Sequence, residues 1–135
     1  IGVDDHDHYE FLHNFTSEIV GTNIPTLIVH ARVAILKGLS PRQNRTVPPL
    51  KYENVYQLKH DFPNLEIVIN GGIQSVDESL MHLEKVDGVM LGRAVYDNPM
   101  IASDVDEKVF NASPQSHDRK KILGNYLKYC IAQYE

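Results

Sequence analysis

The sequence is poor in cysteine, in positive charge and in long apolar runs. Its 135 residues contain one cysteine, so an internal disulfide is impossible and a reducing compartment, the cytoplasm, is the expected location. No apolar run approaches the ~20 residues of a membrane-spanning helix, so no membrane association is expected. The 13 Lys and Arg against 18 Asp and Glu give a net charge of -5, which excludes a protein that coats nucleic acid over its whole surface.

The amino terminus has neither the basic start of a signal peptide nor an initiator methionine. It reads Ile1-Gly2-Val3-Asp4-Asp5, which is typical of the end of a strand that is already under way. We therefore expect the sequence to be a piece of a longer protein.

One segment of the sequence carries no acidic residue. Residues 31–52 contain five cations: Arg32, Lys37, Arg42, Arg45 and Lys51. A basic patch on an acidic protein indicates local contact with a polyanion. A solvated loop with clustered charges fits the charge pattern equally well, so charge alone leaves both interpretations open.

Two apolar runs end abruptly in glycine, at residues 67–72 (Ile-Val-Ile-Asn-Gly-Gly) and 88–93 (Gly-Val-Met-Leu-Gly-Arg). Between them residues 75–78, Ser-Val-Asp-Glu, form the capping-box pattern that begins a helix. A strand–helix–strand unit would gather backbone amides where barrels of alternating strands and helices hold a ligand phosphate. Arg93 adds a forked cation suited to phosphate. Two ordinary glycine turns with a surface arginine are the alternative, but their repetition on consecutive strands favours a phosphate cradle.

The apolar periodicity predicts alternating strands and helices, hence an α/β fold with a parallel sheet. The predicted strands are 26–29, 65–70 and 88–91, and the predicted helices are 7–20, 31–37, 53–62, 75–83 and 116–135. A closed (β/α)8 barrel needs eight strands and about 250 residues, so we predict a partial barrel, its C-terminal half, followed by the beginning of an α-helical domain. A small doubly wound sheet is the alternative.

Three other polar features are candidates for a site. His30 and Arg32 follow a predicted strand at i and i+2, so both could face the mouth of a barrel. A single strand-end histidine is more often structural, but three consecutive strand ends with polar side chains favour a functional role here. Residues 4–8, Asp-Asp-His-Asp-His, match no metal-coordination spacing, so no metal is expected. Cys130 lies among the apolar positions of the last helix, which predicts a buried, inert thiol.

A set of motifs then follows in order along the chain. They are His30-Ala31-Arg32, Gly38-Leu39-Ser40-Pro41, Asn44-Arg45, Pro48-Pro49-Leu50, Ile69-Asn70-Gly71-Gly72-Ile73, Asp87-Gly88-Val89-Met90-Leu91-Gly92-Arg93 and Asn98-Pro99. This sequence resembles the tRNA-dihydrouridine synthases, especially the bacterial A-type branch, over nearly its whole length. The Gly-Leu-Ser-Pro segment with its Asn-Arg makes the resemblance specific, because Asn-Gly-Gly and Gly-Arg occur in many flavin barrels.

The resemblance implies an oxidoreductase that reduces uridine to 5,6-dihydrouridine in the tRNA D-loop, with FMN as cofactor, NADPH as reductant and a monomeric full-length enzyme. Residues 1–110 would be the C-terminal half of an FMN-binding TIM barrel, and residues 111–135 the start of a helical tRNA-binding domain. The residues implied to bind FMN are His30, Asn70, Gly71, Gly72, Gly92 and Arg93. The residues implied to contact the tRNA or its base are Arg32, Arg42, Gln43 and Arg45.

The sequence also departs from the family pattern. The proton-donating cysteine of the family belongs to a Gly-Cys-Pro segment, which this sequence lacks, and the family's flavin-contacting lysine would precede Ile1. We therefore expect no catalytic residue in this chain and no activity from these 135 residues alone. Two other functions stay open: an FMN-dependent barrel oxidoreductase acting on a small metabolite, and an inactive anion- or RNA-binding module.

Overall fold

The computed structural model describes residues 1–113 and 118–134. The elements in chain order are α1 (Tyr9–Val20), β1 (Thr26–His30), α2 (Pro41–Asn44), α3 (Tyr52–Asp61), β2 (Glu66–Asn70), α4 (Val76–Leu83), β3 (Gly88–Met90), α5 (Arg93–Asp97), a 3-10 helix (Pro99–Asp104), α6 (Val105–Lys108) and α7 (Arg119–Tyr134).

The three strands form one parallel sheet in the order β1-β2-β3. Their register pairs His30 with Asn70 and Asn70 with Met90, so the carboxyl ends of all three strands lie in one row. The predicted α/β fold with a parallel sheet is confirmed. In the part of the chain that the structure describes, these strands make an open sheet rather than a closed barrel.

The two faces of the sheet differ in burial. Ile67 and Ile69 of β2 are fully buried, as are Val55 and Leu58 of α3, which packs against that strand. Side chains alternate along a strand, so the neighbouring positions face the other way. On that side Ile28 is 52% exposed. The helices therefore cover one face, and the row of strand ends presents His30 and Asn70 on the other.

The predicted helix over residues 31–37 is wrong, because other partners take its backbone donors. The N–H of Ala34 donates to the carbonyl of Gly2 at 2.9 Å, and that of Ile35 to Oδ1 of Asn44 at 2.7 Å. The N–H of Leu36 donates to Oδ1 of Asp4. The segment has no regular secondary structure as a result, and isolated bridges from Val3 to His6 and Ala34 stand in place of the strand expected at the amino terminus.

The last helix forms as the sequence predicts, but its apolar side is not covered in the residues that the structure describes. Residues 116, 117 and 135 of the predicted helix lie outside the described residues. Leu123 and Tyr126 are 66% and 63% exposed. Cys130, predicted to be buried, is only half-buried.

A charged cluster links α3 to the amino-terminal ends of the strands, opposite the row of carboxyl ends. The ammonium of Lys59 lies 2.8 Å from Oδ2 of Asp87 and also donates to the carbonyls of Pro63 and Leu65. Asp87 accepts the N–H of Ile67 at 2.8 Å. Partial burial opposes the charge of Asp87, but these hydrogen bonds outweigh it and hold the pKa of the carboxyl below its usual value.

We expect Asp87→Asn to lower the free energy of unfolding near neutral pH by about 1 kcal/mol, after discounting for solvent screening. Since folding lowers this pKa, the stabilisation is complete above the unfolded-state value of about 3.9 and is lost as the pH falls through the folded-state value. Urea unfolding at about pH 7 and about pH 3 measures the difference. Asp5→Asn, at an exposed carboxylate in the amino-terminal turn, is the control. Equal acid sensitivity of wild type and Asp87→Asn would contradict this role.

Candidate functional site

A hollow of about 530 Å³ opens at the carboxyl ends of the strands. The structure brings together around it all six residues that were predicted to bind a cofactor, with two of the four predicted substrate residues. The lining residues are His30, Arg32, Arg45, Thr46, Leu50, Asn70, Gly71, Gly72, Ile73, Gln74, Met90, Gly92, Arg93, Ala94 and Asp97. The hollow thus follows the row of strand ends and the loops that continue from it.

The loop after β2 contributes bare backbone to the hollow. Gly71 and Gly72 have φ values of 121° and 74°, a region that residues with a Cβ rarely adopt. A Cβ on Gly72 would also lie 2.7 Å from Cδ1 of Leu50. Within residues 1–113 and 118–134, the N–H groups of Gly72 and Ile73 have no hydrogen-bond acceptor. Two consecutive amides are therefore free to bind an anion.

The end of β3 completes the hollow with a cation. The Nδ2 group of Asn70 donates to the carbonyl of Met90 at 2.8 Å and ties the two strand ends together. Arg93 begins α5, and one of its terminal nitrogens, Nη2, donates to the carbonyl of Arg45 at 3.0 Å. No atom lies within 4 Å of where a Cβ on Gly92 would stand, so a ligand can approach the backbone there.

The electrostatics of the hollow favour an anion. Arg32, Arg45 and Arg93 line it together with a single carboxylate, Asp97. Burial lowers the pKa of His30, and the charges of Arg32, Arg93 and Arg45 lower it further. His30 is therefore neutral near pH 7, where it can donate one hydrogen bond and accept another.

Arg32 has one buried donor without a partner among the described residues. Its Nη1 donates to the carbonyl of Pro48, whereas its Nε is buried and has no partner among the residues that the structure describes. Leaving a buried donor unpaired costs free energy, so the Nε of Arg32 is an unsatisfied group in a residue that lines the hollow.

Two of the predicted substrate residues lie outside the hollow. Arg42 and Gln43 lie in α2 and do not line the hollow. The side chain of Gln43 caps α2, because its Oε1 accepts the N–H of Ser40 at 2.8 Å. The Ser-x-x-Gln spacing at residues 40–43 is a capping-box signal from which this role could have been predicted. Arg45, just beyond α2, does reach the hollow.

One residue with a clear structural role at the loop was not predicted from the sequence. The hydroxyl of Tyr52 donates to the carbonyl of Gly71 at 2.6 Å. The available signal was its position, an aromatic residue with a polar tip in the first turn of the helix that follows the basic segment. Leu50, which packs over both glycines, was missed in the same way.

Neither a metal cluster nor a membrane span is found in the described part of the chain. Among residues 1–113 and 118–134, no three His, Cys, Asp or Glu side chains are grouped so that they could hold a metal ion. Over the same residues, every helix is too short or too polar to span a bilayer.

Comparison with known proteins agrees with the motifs. A family model described as Dihydrouridine synthase (Dus) matches residues 1–135. The chain is 44% identical, over all of its 135 residues and 40% of the relative, to a tRNA-dihydrouridine(20/20a) synthase of Pseudomonas putida. It is 50% identical to the protein of the same name from Escherichia coli K12, over 96% of this chain and 38% of that one.

The match to Haemophilus ducreyi is similar, at 48% identity over 98% of this chain and 41% of a protein with the same name. The chain thus spans about 40% of the length of the curated relatives it matches. The family match over the whole sequence, together with the motifs at the row of strand ends, shows that the chain belongs to the dihydrouridine synthase family.

Proposed function

We propose that this chain forms the phosphate-binding part of an FMN-dependent tRNA-dihydrouridine synthase, an oxidoreductase that reduces uridine in the tRNA D-loop with NADPH. Residues 1–110 would belong to the C-terminal half of its TIM barrel, and residues 111–135 would begin its helical tRNA-binding domain. The relatives' names, which specify tRNA and dihydrouridine, support the substrate. We also propose a cytoplasmic, monomeric full-length enzyme.

One observation supports the cofactor most strongly: two unpaired amides and a forked cation surround a single hollow. The N–H groups of Gly72 and Ile73 have no acceptor among the described residues, and Arg93 lies on the same lining. Hydrogen bonds to a charged phosphate are stronger than those to a neutral group. The residues present therefore fit the phosphate of FMN, with Gly92 leaving room for close approach.

The roles of the other lining residues follow from their chemistry. FMN, when bound, would supply the redox chemistry, which is hydride transfer from NADPH to the uracil ring. His30, neutral near pH 7, can hydrogen-bond a ring heteroatom without adding charge. Asn70 ties the strand ends together, and the guanidinium of Arg32, which lines the hollow, is a donor suited to a carbonyl oxygen of a substrate base. We assign no proton donor to this chain.

The full-length protein tests the proposed activity. We expect it to purify with bound FMN and, when given NADPH and tRNA that lacks dihydrouridine, to add the mass of two hydrogens to uridine in the D-loop. The amount of NADPH oxidised should equal the amount of dihydrouridine formed. A protein that carries no flavin, or that leaves the uridines unchanged, would contradict the proposal.

Arg42 and Arg45 are proposed to bind tRNA phosphates, because they lie in the acid-free segment beside the hollow. In the full-length protein, replacing both with alanine should weaken tRNA binding. It should also flatten the dependence of log affinity on log salt by about one unit for each phosphate that is no longer neutralised. Lys108→Ala is the control, since that cation pairs with Asp77 and Asp104. An unchanged affinity and salt slope would mean that this segment is only a solvated loop.

A further inference from the structure

The peptide between Gly71 and Gly72 has unusual freedom to rotate. Neither of its flanking residues has a Cβ, so steric hindrance barely distinguishes one orientation of the peptide plane from its reverse. In one orientation the amide of Gly72 faces the hollow. In the reverse orientation the carbonyl oxygen of Gly71 faces it, and an oxygen there repels an anion. Anion binding at this loop therefore depends on what sets the peptide direction.

Tyr52 is the side chain that sets it. Its hydroxyl donates to the carbonyl of Gly71 at 2.6 Å. The peptide is trans, so the N–H of Gly72 points opposite to that carbonyl, away from Tyr52. Tyr52 is absent from the lining of the hollow, whereas both glycines belong to it. The hydroxyl thus contacts the loop without lining the hollow itself.

The Tyr52 ring is itself fixed by buried neighbours. It packs edge-on against the ring of His82 with centroids 4.6 Å apart, and His82 is only 4% exposed. The Nδ1 of His82 pairs with the hydroxyl of Tyr56 at 2.7 Å. The backbone before Tyr52 is anchored as well, because the N–H of Lys51 donates to the carbonyl of Ala31 at 2.8 Å.

The donor stays protonated over the working pH range. Burial raises the pKa of the Tyr52 phenol, and the charge of Glu78 raises it further. The hydroxyl therefore keeps its hydrogen as a donor to the Gly71 carbonyl near neutral pH.

We propose that Tyr52 is a positioning residue that holds the Gly71–Gly72 peptide with its N–H toward the hollow and so preorganises the site for a phosphate monoester. The inference rests on the proposed function, since it takes the hollow to be the FMN phosphate site. Tyr52 makes no contact with the ligand itself. Its contribution is to prevent the reversed peptide, which presents an oxygen to the phosphate.

A comparison of FMN and riboflavin affinities separates this positioning role from a general contribution to stability. Riboflavin has the ring and ribityl chain of FMN but no phosphate, so it does not report on the loop. In the full-length apoprotein, Tyr52→Phe should weaken FMN binding by about five- to tenfold, measured by quenching of flavin fluorescence. The affinity for riboflavin should stay unchanged. Tyr9→Phe is the matched control, because it removes a hydroxyl that donates instead to Asp61 at 2.6 Å.

The outcomes distinguish the two proposals. If wild type binds FMN no more tightly than riboflavin, the phosphate cradle itself is wrong. If wild type prefers FMN and Tyr52→Phe keeps the whole preference, the cradle stands and the role of Tyr52 is wrong. An equal loss for both flavins would also overturn it, because that pattern indicates general damage to the fold. Loss of the FMN preference in Tyr52→Phe alone, with Tyr9→Phe like wild type, is the result expected.

Discussion

Replacing Arg93 with alanine in the full-length protein should weaken FMN binding by about ten- to a hundredfold, because a hydrogen bond to a charged group contributes roughly 1.5–3 kcal/mol. Arg93 lines the hollow beside the free amides of the glycine loop, and its guanidinium is already oriented by the carbonyl of Arg45. Equilibrium dialysis of the apoprotein against FMN measures the change.

Two further variants make the Arg93 result specific. Arg93→Lys keeps the charge but loses the fork, so its affinity should lie between those of wild type and Arg93→Ala. Arg119→Ala removes an exposed arginine of α7 and should leave flavin binding as it is. If Arg93→Ala retains flavin as tightly as wild type does, Arg93 is not a phosphate ligand.

Replacing Gly72 with alanine should have the second large effect, on both flavin affinity and stability. The φ of 74° costs a residue with a Cβ about 1–2 kcal/mol. The new Cβ would also stand 2.7 Å from Cδ1 of Leu50, so the loop must shift away from its position at the hollow. We expect a loss of at least about tenfold in FMN affinity and about 2 kcal/mol in the free energy of unfolding.

Alanine variants at Gly38 and Gly92 separate the cost of the positive φ from the effect of an added Cβ beside the hollow. Gly38 has a φ of 92° but no atom within 4 Å of its Cβ position, so Gly38→Ala measures the backbone cost alone. The Gly92→Ala variant adds a Cβ that meets no atom within 4 Å, at a residue that lines the hollow. It should therefore weaken FMN binding without destabilising the fold. A Gly72→Ala variant as stable as wild type and fully able to bind FMN would show that the loop geometry is not required.

Much of the sheet was predictable because its signals are local. The strand predicted at 65–70 is observed at Glu66–Asn70, and the one predicted at 26–29 is observed at Thr26–His30. Short β-branched runs that end in glycine or at a polar strand end give such boundaries without tertiary information. The helix begun by Ser75 was equally clear, since its side chain accepts the N–H of Glu78 as a capping box predicts.

Features set by distant partners were not predictable in this way. The 31–37 segment has apolar spacing that suits a helix, but Gly2, Asp4 and Asn44 supply its hydrogen bonds. The contact of Tyr52 with Gly71 joins residues 19 apart in sequence. The spacing of apolar residues along the sequence carries no information about such contacts, because they form only in the folded structure.

The candidate site shows the same division. Glycines and Arg93 at consecutive strand ends predicted where the hollow would form, since parallel strands bring their carboxyl ends together. The different roles of neighbouring residues in the segment 42–45 were not predicted. The side chain of Gln43 caps α2, whereas Arg45 lines the hollow. Charge along the chain identifies a basic segment but not which of its members reach a ligand.

The position of the flavin phosphate in a crystal structure of the full-length protein with FMN tests the central claim most directly. We predict phosphate oxygens at hydrogen-bond distance, about 3 Å, from the backbone nitrogen of Gly72 and from the guanidinium of Arg93. The hydroxyl of Tyr52 should still be bonded to the carbonyl of Gly71. A phosphate bound away from the loops after β2 and β3, with these amides facing solvent, would contradict the account.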